Sequence, residues 1–174
     1  MKIPNHNKLP VHLLSACFNN TSATYKYYWL LSILQELEEG NRTLKKVNLF
    51  SRMISNAWYT VNYFHVSFGK QDLIQETIIR VNEIEDISID EKISSVYHKL
   101  SGTNNRNTQK LLWHFDKNVP HWFLSPWFSG KSKNEIYNAS VKYQGKCLYA
   151  LSNDVIEINP EWETYLISNS RLLK

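Results

Sequence analysis

Residues 25–40, YKYYWLLSILQELEEG, decide the fold class, because apolar side chains recur in them every three or four positions. This apolar stripe consists of Tyr27, Leu30, Leu31, Leu34 and Leu37. The spacing places the stripe on one face of an α-helix, and Gly40 ends the pattern, as glycine commonly does just beyond a helix. The segment therefore predicts an amphipathic helix that follows the polar, cap-forming residues 19–22.

The same period recurs along much of the chain. Further helices are predicted, in chain order, for residues 49–61, 74–81, 89–100, 109–117, 133–143 and the segment from Pro160 onward. Ser88 with Glu91, and Ser132 with Glu135, have the spacing of capping boxes at helix starts. Residues 1–18 contain two prolines and are expected to be extended or irregular. Residues 59–68 also alternate like a strand, so the end of the second helix stays open.

A single β-hairpin is predicted near the C-terminus. Residues 147–151, CLYAL, and 155–159, VIEIN, are strand-like and enclose a Ser-Asn-Asp turn. Asn159 then has the position of a helix cap, with Pro160 as the first helical residue. The predicted fold class is mainly α: a compact multi-helix domain with one small β-hairpin near the C-terminus. The length of 174 residues and mass of 20.5 kDa fit one domain, residues 1–174.

Composition excludes several classes of protein. No stretch of about 18 apolar residues could span a membrane, and the N-terminus lacks the uninterrupted apolar core of a signal peptide. The two cysteines, Cys17 and Cys147, form no disulfide framework, which favours a reduced, cytoplasmic setting. The expected partners therefore include no membrane.

Charge alternates along the chain although the formal net charge is only +4. Residues 1–70 carry eight Lys/Arg against three acids, and residues 101–150 carry seven against two; we call these two segments the basic zones. Residues 71–100 and 151–174 are net acidic. If the basic zones meet in the fold, they form a weak phosphate-binding face. The alternative is an ordinary solvated surface.

No catalytic constellation is present in the sequence. His114, Asp116 and His121 are suitable metal ligands, but their spacing matches no known site, which favours partly buried polar groups. Neither cysteine lies in a nucleophile signature, and the scattered glycines form no phosphate-binding loop. We therefore predict no catalytic residue and no metal-ligating residue in this chain.

Aromatic residues are dense between positions 113 and 128. These rings could stack on unpaired bases. Alternatively, they could form a hydrophobic plug, that is, a buried cluster of rings in a segment that two prolines turn. Because the segment is too apolar to be largely exposed, we expect five of its rings to be mostly buried: Trp113, Phe115, Trp122, Phe123 and Trp127.

Three segments carry a family resemblance: residues 16–29, ACFNNTSATYKYYW; residues 55–72, SNAWYTVNYFHVSFGKQD; and residues 112–128, LWHFDKNVPHWFLSPWF. Together they resemble the N-terminal region of a bacterial, Bacteroides-type family of HNH-endonuclease-domain proteins. The resemblance implies that the chain is the N-terminal part of a longer nuclease-family protein. The unbroken apolar face of the last predicted helix, which runs to Lys174, agrees with that expectation.

The HNH module itself is absent from these residues. An HNH site needs a histidine base, a metal-binding His or Asp and an orienting Asn on a ββα unit. The hairpin of residues 147–158 contains no histidine, and Asp154 and Asn159 cannot replace both base and ligand. We therefore expect no nuclease activity and no cofactor in this chain; a divalent metal would belong to the absent HNH module.

These observations predict a non-catalytic accessory domain that recognises duplex DNA for an HNH-type nuclease. Its phosphate contacts would come from the basic zones: Lys8, Lys26, Arg42, Lys45, Lys46, Arg52, Arg106, Lys131, Lys133, Lys142 and Lys146. Arg106 belongs to a polar loop, residues 103–108, whose Arg and Asn side chains match base edges. The alternative is a protein-interaction or oligomerisation module, which binds a downstream nuclease domain or a second copy through an apolar patch near the last helix.

Overall fold

The computed structural model describes residues 4–19, 24–69 and 72–174, and it is mainly α. The α-helices, in chain order, are α1 Val11–Ala16, α2 Tyr25–Glu38, α3 Lys46–Asn62, α4 Leu73–Glu85, α5 Ile93–Ser101, α6 Arg106–Trp113, α7 Pro120–Phe123, α8 Lys133–Ser140, α9 Pro160–Ser168 and α10 Ser170–Leu173. Short 3-10 helices span His114–Lys117, Ser125–Trp127 and Gln144–Lys146. No helix among the described residues is long and apolar enough to cross a membrane.

The strands are β1 Thr43–Lys45, β2 Tyr149–Leu151 and β3 Val155–Ile158, and they form one antiparallel sheet in the order β1-β3-β2. The predicted hairpin is β2–β3, in which Leu151 lies opposite Ile156. The sequence analysis missed β1, which pairs Lys45 with Val155. Three residues are too few to show strand alternation, so β1 is defined only by its hydrogen bonds to a strand about a hundred positions later.

The central helix is α3, which packs against α2, α4, α5 and α6. Almost every residue of its first three turns is buried, because α3 has neighbours on all sides. In the core beside α3, Trp29 of α2 donates its indole N–H to the Tyr149 hydroxyl at 3.0 Å, and that hydroxyl donates to the Pro120 carbonyl at 2.6 Å. Each such buried ring contributes on the order of 2–3 kcal/mol through its apolar area. Its polar atom is satisfied as well.

Two of the predicted helix starts are confirmed. Ser132 and Glu135 form a complete capping box at the N-terminus of α8. Asn159 caps α9 by accepting a hydrogen bond from the Glu161 backbone N–H at 3.0 Å, with Pro160 in the first turn. Both caps consist of hydrogen bonds between residues two or three positions apart, so the sequence alone was enough to predict them.

Other local predictions were wrong. Residues 1–18, expected to be extended or irregular, contain α1. The end of the second predicted helix, which the sequence pattern leaves open, falls at Asn62, so residues 59–62 continue α3. The fourth predicted helix begins at Ile93, because the Ser88 hydroxyl donates to the Asp90 carboxylate in the preceding turn. Of the cap-forming cluster 19–22, residues 20–22 lie outside the described residues.

The aromatic segment is only partly a buried plug. Phe115 and Phe123 are fully buried, and Trp113 and Trp127 are half-buried against the core. Trp122 is 56% exposed, which contradicts the prediction. The short helix α7 turns its other side chains inward, so this ring points to solvent.

Candidate functional site

The two basic zones meet at one carboxylate. Lys46, from the first zone, donates from Nζ to Asp116 Oδ1 at 2.7 Å. Lys133, from the second zone, donates from Nζ to Asp116 Oδ2 at 3.1 Å. Lys46 Nζ also donates to the Tyr137 hydroxyl at 2.8 Å. We call Lys46, Asp116, Lys133 and Tyr137 the Asp116 cluster.

The position of Lys46 follows from the junction between β1 and α3. Lys46 is the first residue of α3, and its backbone N–H donates to the Asp154 carbonyl in the hairpin turn at 2.8 Å. Its side chain is 0% exposed. An ammonium group taken out of water costs several kcal/mol unless it is paired and hydrogen-bonded, and Asp116 and Tyr137 provide that pairing.

The ionisation of the cluster follows from its surroundings. Burial raises the pKa of Asp116, but the hydrogen bonds and charges of Lys46 and Lys133 lower it more, so the net pKa lies below the usual value. Burial, and then the charge of Asp116, raise the pKa of Tyr137 to about 12, against the opposing charge of Lys133. At neutral pH Asp116 is therefore a carboxylate and Tyr137 a neutral phenol, and the formal charge of the cluster, with its two lysines, is one positive unit.

One side of the cluster opens into a cleft of about 550 Å³, which we call the Asp116 cleft. Its lining comes from three parts of the fold: the end of α6 with the following turn, α8, and the β2–β3 turn. The lining residues are Trp113, Asp116, Lys133, Asn134, Tyr137, Asn138, Asn153 and Asp154. This volume is in the range of small-ligand sites in proteins.

Three lining side chains are amides with hydrogen-bonding capacity to spare. Asn134 and Asn138 lie one turn apart on α8, and Asn153 lies in the hairpin turn. None of these amides makes a side-chain hydrogen bond within the part of the chain that the structure describes. The Trp113 ring is half-buried, and it stands edge-on to Phe50 with the centroids 5.8 Å apart.

Three exposed lysines lie in segments next to the elements that line the cleft. Lys45 precedes Lys46 and pairs with Val155 beside the hairpin turn. Lys131 and Lys142 flank the two ends of α8, and Lys131 lies over the Phe128 ring at 5.5 Å. None of the three forms an ion pair with another described residue.

The remaining predicted DNA contacts are dispersed. Lys26 donates to the Cys17 carbonyl at 2.8 Å, and Arg52 is buried in ion pairs with two glutamates. Arg42 and Lys146 pair with acids of α9, at 2.8 Å from Glu163 and from Glu161 respectively. Lys8 and Arg106 are exposed, and neither lines the Asp116 cleft. Being buried and paired, Arg52 and Lys46 are unsuited to direct phosphate contact.

The predicted loop of residues 103–108 is partly helical. Asn105 caps α6 by accepting from the Asn107 backbone N–H at 2.9 Å, and Arg106 begins the helix. Thr108 is buried and donates to the Glu85 carboxylate. Residues 106–108 are therefore part of α6, and Thr108 holds that helix against α4.

The three residues considered as metal ligands point to different places. His114 lines a separate groove between α4 and α6, whereas Asp116 lines the Asp116 cleft. His121 is buried, and its Nδ1 has no partner among the described residues. Burial lowers the pKa of His121, as do the charges of Lys133 and Lys46, against the opposing effect of Asp116. No group of three metal-ligating side chains converges within residues 4–19, 24–69 and 72–174.

The two cysteines are core residues. Cys17 and Cys147 are both buried free thiols. Burial raises the pKa of each thiol to about 12, so the thiolate needed for nucleophilic attack is scarce at neutral pH.

Sequence reasoning missed most of the cleft lining. The four-residue spacing of Asn134 and Asn138 on a predicted helix was a usable signal for a shared face. No local sequence pattern, however, predicted that Asn153 and Asp154 lie beside that face.

A comparison with family models, with curated proteins and with solved structures found no match to this chain.

Proposed function

We propose that this protein is a non-catalytic DNA-recognition domain that binds DNA phosphates with the surface around the Asp116 cleft. The observation that carries the proposal is the convergence of both basic zones on Asp116, through Lys46 and Lys133. Electrostatic attraction to phosphates is the main source of sequence-independent DNA affinity.

Four cations are available for phosphates on this surface: Lys45, Lys131, Lys133 and Lys142. Glu135, the one acid on α8, is held by the capping box at Ser132. The acidic residues 71–100 lie in and around α4 and α5, which pack against α3 and α6. These four lysines lie on or next to the elements that line the Asp116 cleft, in spite of the low net charge of the chain.

The link to a nuclease rests on the resemblance of residues 16–29, 55–72 and 112–128 to HNH-family N-terminal regions. In this proposal the domain positions DNA for an HNH module elsewhere in the protein or its complex. The metal and the catalytic histidine belong to that module. The chain itself contributes affinity and orientation.

The proposal is tested by fluorescence anisotropy of a labelled short duplex at several salt concentrations. About four neutralised phosphates predict a log–log slope near −3.6, at roughly −0.9 per phosphate. The double variant Lys131→Gln/Lys142→Gln should make the slope shallower by about 1.8. Lys92→Gln, which removes an exposed charge before α5, is the matched control and should leave the slope unchanged.

Two results would overturn the proposal. One is the absence of duplex binding even at low salt. The other is binding whose slope is reduced equally by the Lys92 control and by the α8 variant, because that would indicate diffuse attraction rather than a defined surface.

The protein-interaction alternative is favoured by a different observation. Ile167 of α9 and Leu172 of α10 are exposed, at 43% and 69%. They lie near the last helix, where the sequence analysis expected an apolar patch. Light scattering would show self-association that Leu172→Ser abolishes; a strictly monomeric protein at high concentration would exclude a second copy as the partner.

A further inference from the structure

We infer, resting on the proposed DNA-recognition function, that the Asp116 cleft receives one unpaired nucleotide. Its base would stack on Trp113, and its edge would meet the amides of Asn134, Asn138 and Asn153. The domain would then distinguish DNA containing an unpaired base from a perfect duplex.

The charge of the lining favours a neutral group inside the cleft. The lining itself has Lys133 against Asp116 and Asp154, and the buried Lys46, which donates to Asp116 without lining the cleft, brings the formal charge to zero. A phosphate by itself gains little from such a lining. A nucleotide has a neutral base and an anionic backbone, which match a neutral cleft whose neighbouring segments carry Lys45, Lys131 and Lys142.

The aromatic wall indicates a flat ligand. Trp113 contacts Phe50 edge-on, and this packing holds the indole in place before a ligand arrives. Stacking on an aromatic ring is tolerant of base identity, because every base has a π-face. A base within a duplex is already stacked and paired, so it has to be unpaired to reach this ring.

The polar groups match the edge of a base. An asparagine amide donates and accepts at once, which suits the adjacent donor and acceptor of an adenine edge. The Asp154 carboxylate, which is exposed and unpaired within the described chain, only accepts hydrogen bonds. It accepts from any base N–H that reaches it, such as the exocyclic amino group of adenine or the ring N3–H of an unpaired thymine, so it favours an edge that carries a donor.

The test compares three labelled probes by anisotropy: a short duplex, the same duplex with one bulged adenine, and the corresponding single strand. The wild-type protein should bind the bulged duplex about fivefold to a hundredfold more tightly than the paired duplex, the range that stacking of one base provides. The double variant Asn134→Ala/Asn138→Ala should lose part of this preference, because Trp113 can still stack on the base but two amides no longer meet its edge, and should leave binding of the paired duplex unchanged. Both amides are exposed, so an unchanged melting temperature is the folding control.

The outcomes separate the two proposals. Equal binding of paired and bulged duplex, or a bulge preference that the double variant leaves unchanged, overturns the nucleotide site and leaves the DNA-recognition function standing. Binding of no oligonucleotide at low salt overturns both.

Discussion

Helix α3 buries two cations, and they are neutralised in opposite ways. At its N-terminus, Lys46 shares the single carboxylate of Asp116 with Lys133. Two turns later, Arg52 donates from Nε to Glu36 at 2.6 Å and from Nη2 to Glu39 at 2.5 Å.

Arg52 also stacks over the Tyr97 ring at 4.1 Å. We call Arg52, Glu36, Glu39 and Tyr97 the Arg52 cluster. Burial lowers the pKa of Arg52, but its hydrogen bonds to Glu36 and Glu39 and their charges raise it more. The guanidinium is saturated by acids, so this cluster holds α2, α3 and α5 together and offers no positive charge to a ligand.

The comparison shows that burial of a cation does not by itself indicate its role. The Arg52 cluster has one more acid than cations, whereas the Asp116 cluster has one more cation than acids. The extra cation of the Asp116 cluster lies beside an open cleft, where Asp154 balances it and the exposed lysines of the neighbouring segments remain available for an anionic partner. Substitutions in the two clusters should therefore differ in how much they destabilise the protein.

Replacing Arg52 by Met should be the most damaging change. Glu36, whose side chain is 4% exposed, would lose its buried counterion. Breaking a buried pair by removing one partner costs roughly 3–5 kcal/mol, and urea unfolding measures that loss. Adding Glu36→Gln should restore part of the stability; a double variant as unstable as the sum of the single variants would contradict the pairing.

Replacing Asp116 by Asn should destabilise the protein by about 2–3 kcal/mol, less than a fully buried pair, because water in the cleft reaches one side of this residue. Lys46 would remain buried without a carboxylate. The same urea experiment measures the change. A loss below that of an exposed control such as Asp90→Asn would show that Lys46 is stabilised by other groups.

The Asp116 contribution should depend on pH. The native pKa of Asp116 is lowered, so its stabilisation is complete above the unfolded value of about 3.9 and is lost as the pH falls through the native pKa. In a His121→Gln background, which is needed because Asp116 also raises the pKa of His121, the stability lost on Asp116→Asn should therefore be constant from neutral pH to about pH 5 and shrink below about pH 4. Glu38, Asp90 and Glu135, whose pKa values are also lowered, are common to both proteins and cancel. A difference that grows on acidification would contradict the assignment.

Replacing Lys46 by Met should change stability by less than about 1.5 kcal/mol, because an apolar side chain of similar volume takes the buried site and Asp116 keeps Lys133 as its partner. This small effect is the sharpest contrast with Arg52→Met. Thermal and urea unfolding of the two variants, measured side by side, check it. Equal destabilisation by both would remove the distinction between the two clusters.

The sequence by itself determined the mainly α class, the β2–β3 hairpin, and the starts of α8 and α9. Each of these depends on neighbours a few positions apart: the period of apolar residues, the Ser132–Glu135 box and the Asn159–Pro160 cap. Local hydrogen bonds and local burial patterns are visible without knowing the rest of the chain.

Only the tertiary structure decided where the charges lie. In the sequence, Lys46 and Arg52 are two members of one basic zone; in the fold both are buried, and each has a different set of acids. Strand β1 and the Asp116 cleft depend on contacts between residues about 70 to 110 positions apart. Such contacts form because burying the core brings these segments together, and local spacing contains no record of which distant segment will be the neighbour.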